Sequence, residues 1–244
     1  MLSDKNGSGK KNRLGKYLLY ATGEIILVVI GIFIALQLNI RKENNILFQK
    51  QQKHLLLIRG EMANNLNSLE TEDEALTEIM SNTRRLIDLM ATEQQIEEIN
   101  EEDLSGLLID AISRQLKINH QNGALTELIS SGGLKDVEND SVRSILASWE
   151  GKLKIVRSQE QSLYKYLDKL NDLAVELGSY RTLFEDIEFT EDLDIRNSAK
   201  QKSNKPLLRS IEFENTILSY LAISYTLHNR NYDSFRVELN SLIR

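Results

Sequence analysis

From Tyr17 to Leu38 the chain reads YLLYATGEIILVVIGIFIALQL, an apolar run in which Glu24 is the only charged side chain. As an α-helix these roughly 22 residues rise about 33 Å, enough to cross a hydrocarbon core of about 30 Å. That places the protein in a membrane. A cleaved signal peptide would need a small-x-small site behind the apolar run. Here Ala35 is followed by Leu36, Gln37, Leu38 and Asn39, so an uncleaved signal-anchor is the reading. With no cysteine in the chain, a lipoprotein anchor is excluded.

A charge in hydrocarbon must be neutralised, paired or led out to the headgroups. At about 100° per residue, Tyr17, Tyr20, Val28, Gly31, Ala35 and Leu38 fall within roughly 40° of Glu24, so Gly31 and Ala35 make a small-xxx-small notch on the carboxylate's own face. One reading is a helix-docking face built from Glu24, Gly31 and Ala35. The other is that Glu24, about 10 Å in from the first apolar residue, snorkels to the near headgroups and the small residues are ordinary membrane-helix composition.

Beyond the anchor, roughly 200 of the 244 residues remain for one domain, ample for a core. One proline, 6% aromatics and abundant Leu, Ile, Glu and Lys point to long uninterrupted helices, so the fold class is all-α. The formal charge is −6 although Lys5, Lys10, Lys11, Arg13 and Lys16 lie ahead of the span. The remainder is acidic and offers no basic stripe for nucleic acid. Arg41, Lys42, Lys50, Lys53 and Arg59 follow the span and balance the leader, so the positive-inside rule votes weakly. A short leader and a large domain that can be exported regardless of charge favour a cytoplasmic N-terminus and a periplasmic C-terminal domain in a bacterial inner membrane. On this reading there is no room inside for a cytoplasmic output domain.

Three regions follow. Residues 1–16 are expected to be a disordered basic leader whose charges either lie near anionic lipid or only set topology, 17–40 the transmembrane helix, and 41–244 an extracytoplasmic bundle. Leu55, Ile58, Met62, Leu66, Leu69, Leu76, Met80, Ile87 and Met90 recur in steps of three, four or seven, so the membrane helix continues into a long helix over about 41–91. The acidic run 92–103 has neither glycine nor the alternating Asp/Asn of a calcium loop and reads as a solvated turn and helix start.

Short helices are expected over about 103–116 and 123–131, the second closed by Gly132-Gly133. Asn139 or Asp140 caps a second long helix over about 140–186, whose seam includes Trp149, Leu153, Val156, Leu163, Leu167 and Leu170. Pro206 opens a third over about 207–243, with Leu207, Ile211, Leu218, Leu221, Tyr225, Tyr232, Phe235, Leu239 and Leu242 as its seam. An antiparallel bundle built this way would return the basic loop 188–205 towards the headgroups, with the 93–140 insert capping the far end.

No catalytic constellation emerges. His54, His120 and His228 lack metal-ligand spacing, and His228 reads as a hydrogen-bonded core histidine. No phosphate loop or nucleophile elbow is present. No enzyme activity, metal or cofactor is expected. Outside the anchor, the most particular stretch is Ile129–Trp149, with a Gly-Gly helix end and the only tryptophan. Gly132, Gly133, Arg143 and Trp149 form either a recognition tip or, with Trp149 filling the core, a structural corner; exposure of the indole separates the two.

Lys16–Asn39, KYLLYATGEIILVVIGIFIALQLN, resembles the anchor of an uncharacterised bacterial family of single-span membrane proteins, a domain of unknown function. Its members follow a short basic leader with Lys-Tyr-Leu-Leu-Tyr-Ala, Gly-Glu-Ile and an Ile-Gly-Ile-x-Ile-Ala-Leu-Gln run. The Ser-Gly-Gly-Leu-Lys at 131–135, the Asn-Asp-Ser at 139–141, Arg143 and Trp149 also look similar. Glu24 and Gly31 match the pattern. The chain departs where members usually carry a tryptophan after the span and this one has Ile40 and Arg41. The resemblance implies a helical exported domain and no activity.

The expectation is a non-catalytic membrane-anchored envelope protein whose partners are the lipid bilayer and either a second copy or another membrane protein. A ligand-sensing bundle that signals through a partner, and an oligomeric ion or proton path through Glu24, stand beside it.

Overall fold

A computed structural model describes residues 8–200 and 202–244, with side chains from residue 15 onward. The described residues are largely helical and contain no strand. Two compact units divide between Leu55 and Leu56. Helix α1, Ser8–Leu89, runs through both, consistent with the absence of proline before Pro206. Residues 8–16 of the expected disordered leader are therefore helical, because extending an established helix costs little compared with nucleating one. The rest of that leader, residues 1–7, lies outside the described residues.

In the first unit every side chain from Gly15 to Lys50 is exposed. Ile25, Leu27 and Phe33 are each more than 60% exposed. The helix is long and apolar enough to cross a membrane, and its apolar window is not buried inside the protein.

The second unit is a helical bundle in which α1 rises through Met62, Leu69, Leu76 and Leu86, all fully buried. The acidic run is two capped helices rather than one turn: α2, Glu93–Glu98, and α3, Glu101–Ile112. Thr92 Oγ1 accepts the Gln95 N–H at 3.3 Å, and Asn100 Oδ1 accepts the Asp103 N–H at 2.8 Å. Each cap satisfies an otherwise orphaned helix donor.

Residues 113–122 then descend along α1 without a helix of their own. Their amides are taken up by one face of α1: Lys117 N–H by Glu72 (3.3 Å), Asn119 N–H by Ser68 (2.9 Å) and Gln121 N–H by Asn65 (2.6 Å). The next amide held this way, Ala124 N–H, goes to Glu61 at 2.7 Å. Glu61, Asn65, Ser68 and Glu72 are spaced four, three and four apart, so they stack on one side of the helix.

Helix α4, Gly123–Ser130, ends at Gly132, whose φ of 74° is the left-handed C-cap conformation that glycine adopts without penalty. A 3-10 turn, Gly133–Asp136, leads to α5, Asp140–Leu177. Asn139 Oδ1 caps α5 by accepting the Ser141 and Val142 N–H groups at 3.0 and 3.1 Å.

The expected helix over 140–186 is broken at Gly178. Ser179 caps a separate helix, α6, Tyr180–Asp186, followed by α7, Phe189–Asp192. The reason is a close approach: Asn204 Oδ1 accepts the Ser179 N–H at 2.7 Å, and a Cβ at Gly178 would lie 2.5 Å from that oxygen.

The expected helix over 207–243 is also composite. It comprises α8, Lys205–Leu208, then α9, Ile211–Thr226, a π-helical segment, Leu227–Tyr232, and α10, Asp233–Ile243. Ser210 Oγ accepts the Phe213 N–H at 3.2 Å and sets the phase of α9. The buried face of α9 is Phe213, Ile217, Tyr220 and Ser224, whereas Ile211, Leu218 and Tyr225, expected in the seam, are 74%, 44% and 56% exposed. The helix is apolar on both sides, so periodicity alone did not choose between the faces.

Because 113–122 descends and α5 rises, the basic segment lies where α1 ends, not at the Leu56 end of this unit. The Asn204 N–H donates to Glu101 at 3.0 Å, Lys205 Nζ to the Glu97 carbonyl at 2.8 Å, and Arg209 Nε to Glu93 at 2.8 Å. The acidic run is the partner of these donors, and Arg209 holds the Glu93 carboxyl below its ordinary range by hydrogen bonding.

Candidate functional site

Glu24, Gly31 and Ala35 lie on one helical face and all three are exposed. Nothing comes within 4 Å of a Cβ placed at Gly31, so the notch is open to a neighbouring helix or to lipid. Within the same turn Thr22 Oγ1 donates to the Leu18 carbonyl at 2.7 Å, which satisfies its hydroxyl inside the helix.

Of the second set of sequence candidates, Gly132 is exposed, Gly133 and Arg143 are half-buried, and Trp149 is buried. Trp149 is 0% exposed, its ring centroid 5.0 Å from that of Phe235 on α10. The indole fills the core, and an aromatic in that position has no free face to offer a partner. Gly132 and Gly133 form the left-handed corner, where a Cβ on Gly133 would meet Leu128 Cδ1 at 2.8 Å. Arg143 Nη1 donates to the Val137 carbonyl at 2.6 Å and its other terminal nitrogen pairs with Asp140. That guanidinium ties the 3-10 turn to the start of α5.

Polar chemistry in the bundle concentrates instead on the π segment, which sequence periodicity did not reveal. Asp73 on α1, 7% exposed, accepts from His228 Nδ1 at 2.6 Å and also from Arg236. Arg236 Nη1 donates to Asp233 at 2.5 Å. On the other side of the segment, Glu160 of α5 is 4% exposed and accepts the Ile118 N–H and the Tyr232 hydroxyl, each at 3.2 Å. Tyr164, one turn on, donates to the Leu116 carbonyl.

Burial pushes the Glu160 carboxyl up, and the Tyr164 phenol up to about 12 for the same reason. Tyr232 is also raised, by burial first and by the Glu160 carboxylate second. Glu160 therefore anchors both the descending segment and the π segment. It stands in the α5 seam where the apolar steps Val156 to Leu163 leave a seven-residue gap. That gap was the available signal, because a seam normally fills every third or fourth position.

The raised carboxyl gives a signed prediction. Starting at the ordinary value of 4.5, rising pH ionises Glu160 in the unfolded chain before the folded one, so stability falls until the folded value is passed. Glu160→Gln keeps an acceptor oxygen and removes that slope. The variant is expected to gain on wild type as pH rises above about 4.5, the ordinary carboxyl value, in denaturant unfolding followed by Trp149 fluorescence. A variant that loses ground as pH rises contradicts the buried, raised carboxyl.

Among the described residues no group of His, Asp and Glu side chains is arranged to hold a metal ion. Comparison with family models, with curated proteins and with solved structures finds no match for this chain.

Proposed function

We propose that this is a non-catalytic, membrane-anchored protein of the bacterial cell envelope. On this reading its N-terminus is cytoplasmic, its bundle is periplasmic, and it acts by docking to a second copy or to another membrane protein. The observation that carries the reading is the uncovered apolar helix: the window able to cross a membrane is 0% buried inside the protein, so lipid and partners must cover it. Within that window the Glu24, Gly31 and Ala35 face supplies what association in lipid requires, namely close backbone approach and a polar group that gains from a partner. The short anchor of the related-looking bacterial family supports the same assignment through Glu24 and Gly31.

The test is in-cell crosslinking with affinity purification on a C-terminal tag, comparing wild type with Gly31→Leu. The leucine side chain fills the notch and is expected to lower recovery of one crosslinked membrane partner, or of the self-crosslink, about tenfold, equivalent to ~1.4 kcal/mol. Equal recovery from both proteins removes this face from the docking function.

A further inference from the structure

Where α5 passes the π segment and α10, a cleft of about 150 Å³ opens, walled by Lys152, Arg230, Asn231, Ser234, Phe235 and Glu238. Its size admits about five waters at ~30 Å³ each, or one small organic molecule. Two buried polar atoms without a hydrogen-bond partner belong to residues of its wall, Asn231 Oδ1 and Glu238 Oε2. A buried acceptor left unmade is costly and rare, and a pair of them asks for a missing partner. The other oxygen of Glu238 is held by Lys152 Nζ across the cleft. Arg230 projects an exposed guanidinium at the same wall, with no hydrogen bond or ion pair among the described residues.

From this arrangement we infer a binding site for a small zwitterion, a molecule of amino-acid size carrying one ammonium and one carboxylate. The ammonium supplies N–H donors to Glu238 and Asn231. Their terminal torsions are broad, so a small rotation presents each oxygen to the cleft. The carboxylate pairs with the free Arg230 guanidinium, whose planar fork suits it. The π segment is what makes the site, because its extra residue per turn sets Arg230 and Asn231 against α5; such segments recur at functional positions. This site is independent of the membrane docking face.

Trp149 is the only tryptophan and packs on Phe235 of the cleft wall, so its fluorescence is a built-in reporter. Full-length protein in detergent would be titrated with glycine, L-alanine and L-serine, and with acetate and methylammonium as single-charge controls. The expected result is a saturable signal with at least one zwitterion and a loss of about tenfold or more in affinity for either control ion. Arg230→Ala, a surface change, and Glu238→Gln should each weaken binding about tenfold, while Arg230→Lys retains part of it. Unchanged circular dichroism confirms that the variants fold. No saturable signal from any zwitterion up to about 10 mM, tenfold above a millimolar Kd, overturns the inference. Binding that survives both Arg230→Ala and Glu238→Gln overturns it as well.

Discussion

Trp149→Ala is expected to destabilise the bundle by about 4 kcal/mol, the middle of the range for truncating a fully buried tryptophan. The indole is among the largest fully buried side chains in the protein, and it joins the start of α5 to α10 through its contact with Phe235. For a unit of this size, that cost lowers Tm by about 10 °C, measured by far-UV circular dichroism. Trp149→Phe separates packing from hydrogen bonding. The indole N–H is buried without an acceptor, so the phenyl ring gives up no hydrogen bond and most of the stability should survive, at a cost below about 1.5 kcal/mol. If Trp149→Ala leaves Tm unchanged, the residue is not a core anchor and the recognition-tip reading returns.

That result bears on what the amino-acid order disclosed. The helical class, the continuity of α1, the Asn139 cap of α5 and the Gly132 corner were legible because each has a local signature: periodicity, absent proline, a side-chain acceptor, a left-handed glycine. The breaks at Gly178 and Arg209 were not. Both depend on partners far along the chain, Asn204 for the first and the glutamates of α2 for the second. The polar stripe Glu61, Asn65, Ser68 and Glu72 carried no reading in the sequence, yet it accepts three backbone amides of the ten-residue segment 113–122, which has no helix or strand to use, and the Ala124 amide that follows it. A helix face that serves as acceptor for another segment's backbone has the same composition as one facing water, and only the fold distinguishes them. The anchor face remains legible at the level of pattern, through Glu24, Gly31 and Ala35. Of the bundle's polar positions, His228 and the gap in the α5 seam at Glu160 left a trace in the sequence, whereas Asp73 and Arg236 became visible only once the π segment was in place.

Asp73→Ala carries the next largest expected effect, about 2–3 kcal/mol, the scale of losing hydrogen bonds to charged groups in a partly buried site. In an unbroken α-helix His228 and Arg236, eight residues apart, would point about 80° from one another. The wider turns of Leu227–Tyr232 take up much of that angle, so both side chains reach the same carboxylate on α1. Removing Asp73 detaches α1 from the π segment and leaves Arg236, 28% exposed, with only Asp233. That remaining partner and the partial exposure keep the loss below the 3–5 kcal/mol of a fully buried broken pair.

A double-mutant cycle with Arg236→Met isolates the Asp73–Arg236 pair. If Asp73 acts by pairing the guanidinium, Arg236→Met in the Asp73→Ala background should restore about 1–2 kcal/mol relative to additivity. Additive losses would mean that the contact is geometric coincidence. In that case the π segment is held by Glu160 and Tyr232 alone, and α1 is joined to the last helices through apolar packing.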